Sequence, residues 1–254
     1  MTDLSRSLSI FADSEAIVGY NRASLSGWES LGLLPDAFTL RLWNLGDSDA
    51  GLLSAAKELT VLHGDSVLAS GMVADLCRNV TEEGTVTEIV FSAGLRLWEA
   101  PVSLSVKAGA LVSETVRRIL AASGTGIPLL SFPGEDPVCP RGQAFFGRAA
   151  ECVEEALSMA STRCCLAPSG LCVIPASGLP ASMELSEADL IDAPVRAGGR
   201  YLLLRTKVIG WPLGKSVSVS WKGETVQGLV TERGIEADNT EGNWQSELVL
   251  EIQN

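Results

Sequence analysis

One histidine stands in 254 residues, and the apolar runs are short. The longest, such as Tyr201-Leu202-Leu203-Leu204, fall far below the roughly 20 residues that a membrane-spanning helix needs, so membrane insertion by helices is not expected. Cations are scarce: 19 Lys and Arg face 31 Asp and Glu, for a net charge of −12. An exposed groove that grips nucleic acid relies on Lys and Arg replacing counterions, which this balance argues against. Catalytic signatures are missing too. The chain has no Gly-x-Ser-x-Gly, Gly-x-x-x-x-Gly-Lys-Ser/Thr or Gly-x-Gly-x-x-Gly. Gly210-Trp211-Pro212-Leu213-Gly214-Lys215-Ser216 ends like a phosphate loop, but its first Gly is one residue too close and Pro212 removes an N–H. The Val-Ser-Val after it reads as strand where a phosphate loop needs a helix. Met1-Thr2-Asp3 opens without a basic and apolar leader, so no signal peptide is expected and the chain should fold in cytoplasm.

The remaining reactive residues fit no metal or catalytic pattern. Cys77, Cys139, Cys152, Cys164, Cys165 and Cys172 show neither paired C-x-x-C spacing nor a secreted framework. They read as reduced thiols used as small core hydrophobes. His63 ends a strand beside a turn, with no orienting partner or nucleophile signalled nearby. Glu151, Glu154 and Glu155 read as one solvated helix face. The stretch Gly234 to Asn243 reads as an acidic, turn-prone loop without calcium-loop spacing. Trp28, Trp43, Trp98, Trp211, Trp221 and Trp244 are scattered, as separate core or interface anchors would be. We therefore expect no catalytic residue, no cofactor and no metal, and the sequence singles out no interface residue.

What is present is β-patterning at both ends around a helical middle. Phe38 to Trp43, Thr85 to Phe91, Ser216 to Trp221 and Trp244 to Ile252 alternate with period two, which marks half-buried strands. Leu59 to His63 and Ser66 to Ala69 flank Gly64-Asp65, a tight-turn dipeptide, and read as a hairpin. Residues 1–35 read as one or two strands broken by Gly19, Gly27, Gly32 and Pro35. A short helix over 50–57 is expected, capped by Asp49. Val112, Val116, Ile119 and Leu120 predict a helix over 111–123 that stops at Gly124. Phe145, Ala149, Cys152, Val153, Ala156, Leu157 and Ala160 predict a second, over 145–162. A hairpin turns at Pro168-Ser169-Gly170, and strands are expected to resume near Arg200.

The order of these pieces resembles the baseplate hub proteins of phage tails, the late-control D and VgrG N-terminal-like family. Four segments carry the likeness: Leu59 to Val73, Val102 to Gly109 running into the first helix, the second helix with the hairpin ending Gly170 to Pro175, and Leu229 to Glu232 with Asn243 to Leu250. The likeness spans roughly 36–252, and residues 1–35 have no match. It implies an α+β, mainly β fold with two tail-tube-like β-barrel domains separated by a small α+β insert. The expected division is 1–100 for the first tube-like domain, 101–190 for the insert and 191–254 for strands completing the second. It implies a homotrimeric ring, without catalysis, that adapts the hexameric tail tube to a trimeric spike or tip. The implied partners are tail tube and spike or tip protein, with tape-measure protein a further candidate, and DNA passing through the lumen without specific binding. The implied location is the virion baseplate, assembled in the host cytoplasm. Acidity then acquires a second reading beside solubility, as a lumen that repels DNA. The rivals are a non-catalytic peptidoglycan- or glycan-binding module, suggested by Val106-Lys107-Ala108-Gly109 before the first helix, and a tail-associated hydrolase.

Overall fold

Alternating side chains become paired strands at both ends of the chain. A computed structural model describes residues 6–211, 213–240 and 242–252. Met1-Thr2-Asp3, Pro212 of the phosphate-loop lookalike and Glu241 of the acidic stretch lie outside them.

The first part runs β1 (Ser9–Ala12), β2 (Glu15–Ile17), β3 (Arg22–Ser30), β4 (Ala37–Trp43), α1 (Asp47–Ala55), β5 (Glu58–His63), β6 (Ser66–Thr81) and β7 (Gly84–Ser92). The middle holds α2 (Leu95–Glu99), β8 (Pro101–Val106), α3 (Val112–Ser123), β9 (Leu129–Ser131), β10 (Gln143–Arg148), α4 (Ala149–Leu157), β11 (Thr162–Ala167) and β12 (Gly170–Pro175). The last part holds β13 (Leu179–Leu185), β14 (Val195–Ala197), β15 (Tyr201–Thr206), β16 (Lys215–Trp221), β17 (Glu224–Asp238) and β18 (Trp244–Ile252). The fold is α+β and mainly β.

One sheet unites the two ends in the order β14-β15-β18-β17-β3-β4-β7-β6-β5-β1-β2, and β16 joins β17 to β13 off this path. The seam is β3 against β17, antiparallel from Ser30↔Glu232 to Ser24↔Asp238. Three apolar cores form beneath and beside this sheet. Leu25, Leu40, Phe91 and Ile235 belong to the first, Val116, Ile119, Phe145 and Val153 to the second, and Leu204, Trp211, Val217 and Leu248 to the third. Each such side chain contributes about 1.5–3 kcal/mol when fully buried. Ile235 and Ala237 sit in the first core although they come from the last part of the chain, so the ends are packed together as well as hydrogen-bonded.

Several expectations are corrected. Residues 6–35 hold three strands, and Gly27 lies inside one of them. A Cβ there would stand 2.4 Å from Phe38 Cδ1, so this glycine permits close strand approach and does not break the strand. The second helix is only α4. Phe145 belongs to β10, which pairs with β8, and Gly147 at φ +132° separates strand from helix. Phe145 still reaches the same core, 1% exposed, which is why it mimicked a helical stripe. α1 starts at Asp47 after an uncapped Gly46. Asp49 turns outward instead, accepting from the backbone N–H of Val18 at 2.9 Å and Gly19 at 2.6 Å. Strands resume at Leu179, because β13 finds a parallel partner in β16. α3 ends at Gly124, φ +67°, whose N–H bonds Ala121 O.

Candidate functional site

The residues that could have carried chemistry are dispersed into structural roles. His63 Nδ1 lies 3.0 Å from Ser7 O, and its ring packs edge-on to Trp244 at 5.0 Å. Trp211 is buried and donates to Val208 O at 2.8 Å. Trp28 donates to Glu232 at 3.2 Å, and Arg22 lies over Trp43 at 4.5 Å. Trp98, on α2, donates to Leu33 O, while Lys222 sits over Trp221 at 5.4 Å. The three glutamates of α4 lie on an exposed face, and each has a partner there. Glu151 pairs with Arg148 at 3.7 Å, Glu154 accepts from Leu33 N at 3.1 Å and Glu155 from Gln143 at 2.6 Å.

All six cysteines are free. Cys139, Cys152, Cys164 and Cys165 are buried. Burial first, then nearby Glu154 and Cys165, pushes the Cys164 thiol up to about 12. Burial likewise pushes Cys165 up to about 12, with Cys172 and Glu29 adding to it. Among the described residues no three His, Cys, Asp or Glu come together in a metal-holding group, and no helix is long and apolar enough to cross a membrane.

The first half of the presumed acidic loop, Gly234 to Asp238, is strand, another correction. β17 runs on to Asp238 because Ile235 and Ala237 are buried inward while Glu236 and Asp238 alternate to the other side. Burial alone would raise the Asp238 carboxyl, but hydrogen bonds from Arg22 and Thr240 outweigh it and hold it below the usual range.

This alternation creates the most extensive candidate surface. Strand register places Ser26 beside Glu236 and Thr39, Arg41 beside Glu88, and Asp75 beside Val90. On the same side, Glu247 lies beside Arg205 and Gly234, and Glu251 beside Tyr201. The sheet from β14 to β6 thus has one face on the cores and a second face carrying Asp75, Glu88, Glu232, Glu236, Asp238, Glu247 and Glu251. Arg22 pairs with Asp238, Arg41 with Glu88, and Arg163 and Arg200 both with Glu251, while Arg205 stands beside Glu247, so the seven carboxylates outnumber these five cations by two. Its two borders are open among the described residues. There β14 pairs only with β15, and beyond residue 73 β6 pairs only with β7. Val195 and Val80, on those borders, are 61% and 87% exposed.

No family model matches this chain, and no curated protein matches it. Solved structures do. A tail protein from Neisseria meningitidis MC58 aligns at TM-score 0.72 and 12% identity, over 96% of this chain and 95% of that one. The 43 kDa tail protein of prophage MuSo2 from Shewanella oneidensis aligns at 0.69 and 11% identity, over 97% and 96%. The E. coli c3393 protein is a type VI secretion component described as similar to the T4 tail proteins gp27 and gp5. It aligns at 0.64 and 11% identity, over 92% of this chain and 74% of that one. The chain has the fold of these tail proteins, and coverage of 96–97% means that the likeness takes in most of the first 35 residues that the sequence left unmatched.

Proposed function

We propose that this chain is a structural, non-catalytic hub of a phage or phage-like tail. In this reading three copies close head to tail into a ring that adapts a hexameric tail tube to a trimeric spike or tip. The carrying observation is the sheet that passes without interruption from the last β part to the first, with two borders that find no strand partner among the described residues and a second face rich in carboxylates. Residues 1–100 would supply one tube-like unit and 191–254 most of the other, with 101–190 set between them. Two such units per chain and three chains give six units, which matches a hexameric tube above and a trimeric spike below.

The edges favour closure. An unpaired border is a template for further strand pairing, and a head-to-tail contact that closes into a ring uses every border without open-ended growth. The β14 border of one subunit would meet the β6 border of the next, so the acidic faces would line the lumen. Carboxylates there would repel DNA and let it pass without specific binding. The solved tail and secretion-system proteins of this fold support the assignment to a tail; in this reading the hub sits in the baseplate, is assembled in the host cytoplasm, and has tube, spike and tape-measure proteins as partners.

Co-expression with the neighbouring tail-tube and spike proteins, followed by mass measurement and electron microscopy, tests this reading. A ring holding three copies between tube and spike is expected. A stable monomer that binds neither protein overturns it, and a ring with a neutral or basic lumen removes the DNA-repelling part.

A further inference from the structure

A cavity of about 440 Å³ opens where the three cores approach one another. Leu68 comes to its wall from the first core, Ile127 and Leu166 from the second, and Leu213 from the third. This size and apolar lining at a junction of units are those of small-ligand sites, which span about 300–1,000 Å³.

The polar groups in the wall are unevenly satisfied. Glu29 and Arg233 pair at 2.5 Å, and Glu58 pairs with Arg96. Arg233, 5% exposed, also donates to Trp211 O at 2.8 Å and Leu68 O at 2.7 Å. Its Nε is buried, without a hydrogen-bond partner among the described residues and out of reach of the cavity. Lys215 lines the same cavity and enters no ion pair among the described residues. Both glutamates and both arginines in the wall are engaged, whereas the Lys215 ammonium is left over. A charged acceptor answers an unpaired ammonium best.

We propose that this cavity binds an apolar ligand ending in a carboxylate, with the carboxylate held by Lys215 and the apolar body among Leu68, Ile127, Leu166 and Leu213. The same chemistry has two sources, a free aliphatic acid or the apolar C-terminal residue of a polypeptide. The site stands apart from the hub reading, since a ring can close with the cavity empty and the cavity can bind in a monomer.

Calorimetric titration of the full chain tests it with octanoate and with uncharged octanol. N-acetyl-Leu-Leu with a free carboxylate, and its amide, form the second arm. Saturable binding of octanoate or of the free-carboxylate peptide is expected, at least tenfold tighter than the uncharged counterpart. Preference between these two acids identifies the source. Lys215→Met keeps the aliphatic stem and should weaken the acid about tenfold while leaving the uncharged probe unchanged. An unaltered melting temperature of the unliganded variant shows that it folds. Failure of both acids to bind overturns the proposal and leaves a water-filled void. Equal binding of acid and uncharged probe, or indifference to Lys215→Met, overturns it as well.

Discussion

A carboxylate and a guanidinium withdrawn from water together lose hydration that their attraction only partly returns. Glu29 and Arg233 show this imbalance. Burial raises the Glu29 carboxyl, and although Arg233 pulls it down, the net shift is upward, with Asp36 adding repulsion. Burial lowers Arg233 despite Glu29, so both partners agree that desolvation outweighs pairing. A raised carboxyl binds its proton more tightly in the folded chain than in the unfolded one. Its contribution to stability is therefore complete below the ordinary value of 4.5 and is lost as pH rises through the raised native value. Asp238 and Glu251, held low by arginine hydrogen bonds that outweigh burial, act in the opposite sense and lose stabilisation as pH falls. Arg233→Met, which strands the Glu29 carboxylate, is expected to cost about 3–5 kcal/mol at neutral pH. The loss should shrink toward pH 4.5, as Glu29 takes up a proton. Urea denaturation across pH reads both, and adding Glu29→Gln should abolish the pH dependence of that loss. Cys164 and Cys165, both pushed up to about 12, should resist iodoacetamide in the native chain at neutral pH and react once urea unfolds it, as peptide mass spectrometry would show.

At the scale of elements, close strand approach decides what a position tolerates. A Cβ on Gly71 would lie 2.3 Å from Ser92 C and 2.5 Å from Ala93 N. These are backbone atoms of the neighbouring chain segment and cannot rotate aside. Gly71→Ala should thus destabilise by about 1–3 kcal/mol through a shift of β6 against β7. Gly64, in the hairpin turn at φ +56° with nothing within 4 Å of its Cβ, should lose only about 1 kcal/mol on the same change. Urea midpoints compare the two. The same physics explains which elements the sequence discloses. β4, β7 and β18 were legible because one face of each meets a core and the other meets solvent. β3 was hidden because Gly27 serves a crowded strand crossing, while its residue type reads as a break. The end of β17 was hidden because its outward positions are acidic, leaving only Ile235 and Ala237 to mark the inward face. Phe145 misled because apolarity reports that a side chain is buried, and either a strand or a helix can bury it. The cavity was not legible at all. Lys215, Arg233 and Glu29 come together only through the pairing of β16 with β17 and β17 with β3.

The whole molecule presents a problem that its own chain does not solve. A sheet whose borders expose Val80 and Val195 carries unpaired N–H and C=O groups beside apolar side chains, a combination that favours association. If association is the ring proposed above, both borders are needed, and disabling either one should suffice to open it. Val195→Asp or Val80→Asp adds a charge at a border without touching a core, so folding stability should change by no more than about 0.5 kcal/mol. Mass photometry should find threefold assemblies for the unaltered protein, alone or with tube protein, and monomers for each variant. Retention of threefold mass by both variants would mean that closure uses other surfaces, and the acidic face would then have no reason to line a lumen. Loss in only one variant would point to a contact between that border and a different part of the neighbour. The outcome also bears on DNA passage, because the seven-carboxylate face gains a collective field only when three copies enclose a common axis. On an isolated chain those charges are separated by water and screened within a Debye length of about 8 Å at physiological salt. Assembly is what would turn an acidic composition into a repelling channel.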